Sequence, residues 1–169
     1  MNYSLNFVIP QGPTGPQGLQ GITGPTGPSA GILAYGGRFN NTSSSITLGI
    51  GTQSQVPLTN TMPNLNTTYP TANSITVPQA GTYEINFFTN VSVALGTTIT
   101  LAVRNNGTNI PSTVISRPLS VGTSSVYSGS VIVNLAANSV IDMAVSASVA
   151  VGLNLGTGTN ASLTVKRLS

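Results

Sequence analysis

Residues 12–29 read GPTGPQGLQGITGPTGPS, which is six consecutive Gly-X-Y triplets with proline at four of the six X positions. Only glycine fits at the crowded axis where the three polyproline-II-like chains of a collagen triple helix meet, so the unbroken period indicates that structure. A flexible linker rich in proline and glycine is the weaker interpretation, because six unbroken triplets are more regular than a linker requires. The predicted axial glycines are Gly12, Gly15, Gly18, Gly21, Gly24 and Gly27.

The repeat predicts a homotrimer, because a triple helix needs three parallel chains in register. The register ends at Ala30, which occupies the position of the next axial glycine. A rod of this length spans about 55 Å at about 3.1 Å per residue. It loses much chain entropy for the little surface that it buries. We therefore expect residues 30–169 to form a head that holds the three chains together.

The chain has very few charged residues, which make up 4% of its 169 residues, against about 25% in an average soluble domain. A surface built from Thr, Ser, Asn and Gln suits a subunit of a dense assembly or a sugar-coated layer. The net charge of +3 comes from scattered cations, so nucleic-acid binding is not expected. The charged residues are Arg38, Glu84, Arg104, Arg117, Asp142, Lys166 and Arg167.

The chain has few side chains that could catalyse a reaction, because it contains no histidine, no cysteine and only two carboxylates. Glu84 and Asp142 could in principle form an acid/base pair. The better interpretation is that each acid pairs with a cation, since Glu84 lies on the polar side of an alternating strand pattern. We predict that the protein is not an enzyme and that it holds no cofactor and no metal ion.

The N-terminal segment, residues 1–11, reads MNYSLNFVIPQ and alternates apolar with polar residues. This period of two predicts an extended strand with one apolar face, which is too short to fold alone and needs a host surface. We find no pattern of a cleavable signal peptide and no apolar stretch long enough for a membrane span, so we expect no membrane contact. The predicted docking residues are Tyr3, Leu5, Phe7 and Ile9.

The remainder of the chain is predicted to be all-β. Alternation is clearest over residues 83–93, the Asn106-Gly107 pair is typical of a type I′ hairpin turn, and no segment has a helical period. Eight to ten short strands separated by turns favour an antiparallel two-sheet jelly-roll sandwich. The predicted strands are residues 32–39, 46–50, 55–58, 74–77, 83–93, 98–104, 110–116, 124–135, 140–155 with a break, and 161–168.

The combination of rod and head resembles the collagen-like glycoproteins of the bacterial spore surface, the BclA type. The resemblance is carried by the Gly-Pro-Thr triplets, ILAYGG at residues 32–37, AGTYEI at residues 80–85 and ASLTVKRL at residues 161–168. It implies a trimeric head of the tumour-necrosis-factor and complement-head superfamily and a place on the outer face of the spore, in the exosporium or an appendage. It also makes Thr14, Thr23 and Thr26 possible O-glycosylation sites, with plain exposed threonine as the alternative.

Two classes of function follow from this resemblance. In the first, the homotrimer is a structural subunit that assembles head to tail into a fibre or appendage through its N-terminal segment. In the second, it is a stalked binding head displayed on the exosporium. Residues 40–45, 67–73 and 156–160, expected as the distal loops, are small and polar with Tyr69 as their one aromatic residue, which favours the structural class. The expected host of the N-terminal segment is the head of the preceding trimer, and a spore-coat or exosporium anchor protein is the alternative.

Overall fold

The computed structural model describes residues 1–21 and 31–169 and divides the chain into two units, Met1–Ala30 and Gly31–Ser169. In residues 1–21 the chain forms no helix or strand, and every side chain is exposed. The extended strand predicted for residues 1–11 is therefore not formed within the described part of this unit. The predictions for Thr23, Gly24, Thr26 and Gly27 lie outside the described residues.

The axial glycines of the described part of the rod are not crowded in a single chain. A Cβ atom added to Gly12, Gly15, Gly18 or Gly21 would meet nothing within 4 Å. The crowding that requires glycine arises only where three chains share one axis. The triple helix therefore stays a prediction, as does the division of the chain at residues 11 and 29.

Unit Gly31–Ser169, the head, contains ten strands of four residues or more and three strands of two residues. In chain order they are β1 (Ala34–Asn40), β2 (Ser44–Leu48), β3 (Ser54–Gln55), β4 (Asn60–Thr61), β5 (Ser74–Val77), β6 (Gly81–Val93), β7 (Thr97–Asn105), β8 (Thr108–Asn109), β9 (Ile115–Leu119), β10 (Ser124–Leu135), β11 (Ser139–Ala147), β12 (Val151–Leu155) and β13 (Ala161–Arg167). A short 3-10 helix, Pro111–Thr113, precedes β9. The described residues contain no helix that is long and apolar enough to span a bilayer.

The strands form two antiparallel sheets. The seven-stranded sheet runs β2-β12-β6-β13-β1-β4, and β10 pairs with the other edge of β6. The six-stranded sheet runs β3-β11-β7-β8, with β5 also pairing to β11 and β9 to β7. This arrangement confirms the predicted all-β jelly-roll sandwich.

The core lies between the two sheets and follows the period of two of the strands. On β6, Tyr83, Ile85, Phe87, Val91 and Val93 are buried, whereas the residues between them are partly or fully exposed, apart from the buried Thr89. The facing strands β7 and β11 supply further buried residues, which are Ile99, Leu101, Val103, Ile141, Met143 and Val145. The strand predicted at residues 83–93 is therefore confirmed in position and in the face that it buries.

The turn predictions are confirmed at two places, whereas the strand predictions are wrong at residues 110–116 and at residues 56–58, which follow the short strand β3. Asn106 and Gly107 adopt φ values of 50° and 80°, as a type I′ turn requires. The apolar run at residues 140–155 is broken at residues 148–150, between β11 and β12. Residues 110–116 do not form one strand, because Pro111 lacks an N–H and Thr113 closes a tight turn by donating its N–H to the carbonyl oxygen of Ile110 at 3.0 Å.

The strand pairing gives the head an entry end and a far end. At the entry end Ala34 pairs with Arg167, so the chain enters beside its own C-terminus. At the opposite end of the head lie the connections that follow β2, β6, β9 and β11, because β6 pairs with β13 from Tyr83–Arg167 at the entry end to Thr89–Ala161. These connections are residues 49–53, 94–96, 120–123 and 148–150, which we call the far-end loops. The expected distal loop at residues 67–73 instead lies nearer the entry end, because Thr68 pairs with Thr76 of β5. The loop at residues 67–73 was therefore wrongly predicted as distal, whereas residues 40–45 and 156–160 adjoin the ends of β1 and β13 that lie opposite the entry end.

Candidate functional site

The two carboxylates lie on different sheets, and each forms an ion pair within the chain. Lys166 Nζ is 2.7 Å from Glu84 Oε2 on the seven-stranded sheet, and Arg104 Nε is 2.7 Å from Asp142 Oδ1 on the six-stranded sheet. The hydrogen bond from Lys166, together with its charge, lowers the pKa of Glu84. The structure thus bears out the interpretation that each acid pairs with a cation and does not assemble an acid/base pair from them.

Asp142 is the centre of a structural network. Arg104 donates to both of its carboxylate oxygens, and Gln55 Nε2 donates to Oδ2 at 2.8 Å. The hydrogen bonds to Asp142 raise the pKa of Arg104 above its ordinary value. Because Gln55 lies on β3 and Arg104 on β7, the carboxylate joins two strands that pair with opposite edges of β11.

Arg38 is a buried cation that the sequence analysis did not single out. Its guanidinium donates to the carbonyl oxygens of Leu58, Tyr69 and Thr71 at 3.1 to 3.3 Å and lies 5.1 Å from the centre of the Tyr69 ring. These contacts fasten the long connection between β4 and β5 to β1. Only the alternation of residues 34–40, which places Arg38 on the buried side of β1, could have revealed this role.

The outer face of the seven-stranded sheet, the side of β1, β13, β6 and β10 that points away from the core, carries apolar residues among small polar ones. The strand register places Tyr35, Lys166, Glu84 and Ile132 in one row. Tyr35 is 38% exposed and Ile132 is 66% exposed. The other apolar residues of this outer sheet face are Phe39, Phe88 and Val126, of which Val126 is exposed and the two phenylalanines are partly exposed.

A groove of about 380 Å³ opens on the outer sheet face beside the Lys166 ion pair. A Cβ atom at Gly37 would lie 2.6 Å from Met62 Sδ and 2.8 Å from Thr164 Cγ2, so a larger residue there would displace these side chains. The lining of the groove is mainly apolar. The groove is lined by Tyr35, Gly36, Gly37, Met62, Pro63, Asn86, Thr164, Val165 and Lys166.

The residues predicted for docking and glycosylation are accessible where the structure describes them. Tyr3, Leu5, Phe7 and Ile9 are each 86 to 88% exposed. Thr14 is exposed as well. Within residues 1–21 and 31–169, no group of three or more acidic side chains comes together as a metal site would need.

Comparisons with solved structures show what fold the head shares. The globular domain of zebrafish complement 1qA matches with a TM-score of 0.52 and 15% identity, covering 80% of this chain and 98% of that one. Murine APRIL at pH 5.0 matches with a TM-score of 0.55 and 11% identity, covering 80% and 98%. Eiger TNF from S. frugiperda matches with a TM-score of 0.52 and 11% identity, covering 82% and 93%. These likenesses confirm the complement-head and tumour-necrosis-factor type of jelly roll.

A comparison with curated proteins finds no match. A family model, the BclA C-terminal domain, matches residues 36–169, which cover the jelly roll from β1 to the C-terminus. The match confirms the resemblance stated from the sequence. The chain belongs to the family of the BclA C-terminal domain.

Proposed function

We propose that the protein is a homotrimeric structural subunit of the bacterial spore surface, joined head to tail through its N-terminal segment. The observation that carries this proposal is the pairing of an almost uncharged head with two exposed apolar features, the outer sheet face and residues 1–11. Exposed apolar surface of this kind is typical of protein that is covered in its assembled form.

The outer sheet face supports the trimer. Its apolar residues lie in rows that cross four neighbouring strands, and the groove beside Met62 offers a place for an apolar side chain of a neighbouring protomer. Ile132 is the most exposed apolar residue of the face, on edge strand β10. We propose that three copies pack these faces against one another. Three is also the number of chains that the Gly-X-Y repeat requires.

The trimer is tested by Ile132→Asp, which places a carboxylate in the proposed interface. Burying an unpaired charge is strongly unfavourable, so we expect sedimentation equilibrium to show monomers or a markedly weakened trimer. The matched control is Val114→Asp, since Val114 is 44% exposed on another part of the head. A trimer of unchanged stability in the Ile132 variant, with the control also trimeric, would contradict the proposed interface.

The N-terminal segment supports the fibre. Its apolar side chains are exposed, and a segment with alternating apolar residues can be ordered by adding to a sheet edge or filling a groove on another molecule. Three such segments leave each trimer together, so modest single affinities multiply through a high effective concentration. A contact between unlike ends does not close on itself and therefore propagates as a filament.

The fibre is tested by deleting residues 1–10, or by the double substitution Phe7→Ser and Ile9→Ser, followed by electron microscopy. We expect dispersed trimers in place of filaments, because the apolar contact is removed while the head is unchanged. Asn2→Ser with Asn6→Ser is the matched control on the polar side of the same segment. Filaments of normal length after the deletion would rule out this segment as the connector. Dispersed trimers of the unaltered chain that bind a spore-coat or host surface would favour the decoration and binding-head alternatives.

A further inference from the structure

The far-end loops carry a large aliphatic side chain each. Ile50 is 72% exposed, Leu95 55%, Val121 59% and Val149 38%. The loops read GIGTQ at residues 49–53, ALG at 94–96, SVGT at 120–123 and SVA at 148–150, without a charged residue among them. We call these four aliphatic residues the far-end ridge.

Hydrogen bonds place three of these loops side by side. Gly51 N–H donates to the carbonyl oxygen of Ala147 at 3.5 Å, which brings residues 49–53 beside the end of β11. Ser148 N–H donates to the carbonyl oxygen of Thr98 at 3.1 Å, and the hydroxyl groups of Thr97 and Ser148 are 3.0 Å apart. Residues 148–150 therefore lie beside residues 94–96, which lead into β7.

The fourth loop completes the row. Thr97 of β7 pairs with Leu119 of β9, and Ser92 of β6 pairs with Ser124 of β10. Residues 94–96 connect β6 to β7 and residues 120–123 connect β9 to β10, so the two connections are neighbours. The order across the far end is thus residues 49–53, 148–150, 94–96 and 120–123. The four exposed aliphatic residues therefore lie on neighbouring loops at one end of the head, and exposed apolar residues that are grouped in this way are typical of a contact site.

The chemistry of the ridge restricts what it can bind. Without a charged side chain in its loops, it offers no attraction to an anionic or cationic partner, and its binding energy has to come from removing apolar surface from water. The N-terminal segment has the matching composition. Residues 1–11 contain no charged side chain and expose Tyr3, Leu5, Phe7, Val8 and Ile9.

We infer that the far-end ridge is the docking site for residues 1–11 of another copy of this chain. This inference rests on the proposed head-to-tail fibre and identifies the surface that receives the tail. The chain enters each head at the opposite end, so a receptor at the far end lets every trimer follow the previous one in the same direction. The groove on the outer sheet face cannot serve, because the neighbouring protomers cover it in the proposed trimer.

The experiment uses the full chain with Ile50→Ser, Leu95→Ser, Val121→Ser and Val149→Ser together. Because these side chains are exposed, we expect the variant to fold and to remain trimeric in sedimentation equilibrium. The matched control carries Leu65→Ser and Val114→Ser, two residues that are each 44% exposed elsewhere on the head. We expect filaments from the control and dispersed trimers from the ridge variant.

A binding measurement gives the size of the effect. A fluorescein-labelled peptide of residues 1–11 is titrated with trimers that lack residues 1–11, so that no tail competes for the site. Losing the burial of one aliphatic side chain corresponds to about a tenfold change in affinity. We expect the ridge variant to weaken peptide binding by more than about tenfold, the control to leave it unchanged, and the affinity to vary little with salt.

The outcomes separate the ridge from the fibre itself. If deletion of the tail abolishes filaments but the ridge variant still polymerises and binds the peptide, the tail docks elsewhere; the inference falls and the proposed function stands. If neither change affects polymerisation, both fall. A ridge variant that does not fold is replaced by Phe7→p-benzoylphenylalanine in the otherwise unaltered chain. Photo-crosslinks to the far-end loops of another trimer support the inference, and crosslinks confined to other surfaces overturn it.

Discussion

At the scale of single residues, a few polar side chains fix long connections that have little regular structure. Arg38 holds three carbonyl oxygens, and Asn40 donates to Asn160 Oδ1 at 2.8 Å while Asn160 donates to the carbonyl oxygens of Thr42 and Gly156. In a head with so few charged side chains, these hydrogen bonds hold the loops in place. Each is buried or partly buried, so removing the donor leaves an acceptor without a partner.

Arg38→Met is predicted to lower the free energy of unfolding by about 2–4 kcal/mol, because three carbonyl oxygens lose a charged donor. Arg117→Met is the matched control, since the Arg117 guanidinium donates to the exposed carbonyl oxygen of Val126, and we expect a loss below about 1 kcal/mol. Denaturant unfolding of all three proteins at one trimer concentration measures the difference. Equal losses in the two variants would show that burial of Arg38 is not the cause.

At the scale of elements, the strongest local patterns were predictable and the contacts between distant segments were not. The alternation at Tyr83, Ile85 and Phe87 located β6, and Asn106-Gly107 located the turn between β7 and β8. The two-residue strands β3, β4 and β8 have no pattern of their own, because each exists only as the partner of a longer strand. The strand predicted at residues 110–116 failed because Pro111 and the Thr113 side chain together favour a tight turn.

The rod and the head are predicted to be separable elements. Gly21→Ala puts a methyl group at the crowded axis of the proposed triple helix, so we expect the collagen-type circular dichroism signal to melt at a lower temperature. The head should stay trimeric in sedimentation equilibrium, since it has its own core and its own proposed interface. Thr14→Ala, at an outward position of the rod, is the control. Dissociation of the head in the Gly21 variant would mean that the rod holds the trimer together.

At the scale of the whole molecule, stability is predicted to be nearly constant from about pH 5 to 9, because the chain has no histidine and no cysteine, the side chains that ordinarily titrate in that range. The pKa of Glu84 is lowered from 4.5, so its contribution is present above that value and is lost as the pH falls through the folded-state pKa. Burial raises the pKa of Tyr83 and Tyr127 from 10.0, so their contribution is present below that value and is lost at higher pH. Thermal melting across this range measures the stability. A steep fall in the melting temperature between pH 7 and pH 5 would contradict the prediction.

The sequence also predicted the family and the class of fold better than it predicted the interaction surfaces. The Gly-X-Y repeat and the alternating strands are local features, whereas the far-end ridge is assembled from four loops that are up to 99 residues apart in the chain, as with Ile50 and Val149. The strand pairing determines which loops lie at the same end of a sandwich, and the pairing cannot be read from the composition. Sequence reasoning consequently chose residues 67–73 as a distal loop although they lie nearer the entry end.

The entry of the chain beside its C-terminus has a mechanical consequence. A pull on the stalk reaches the head at Ala34 and runs along β1, which is paired with β13 at seven positions and with β4 at two. When the far end of the head is held, this load acts parallel to the strands, so the hydrogen bonds between β1 and its neighbours are sheared together instead of being peeled apart one by one. Forced unfolding is governed by the unfolding barrier, and shear loading keeps that barrier high. A head connected in this way is suited to bearing tension in the proposed filament.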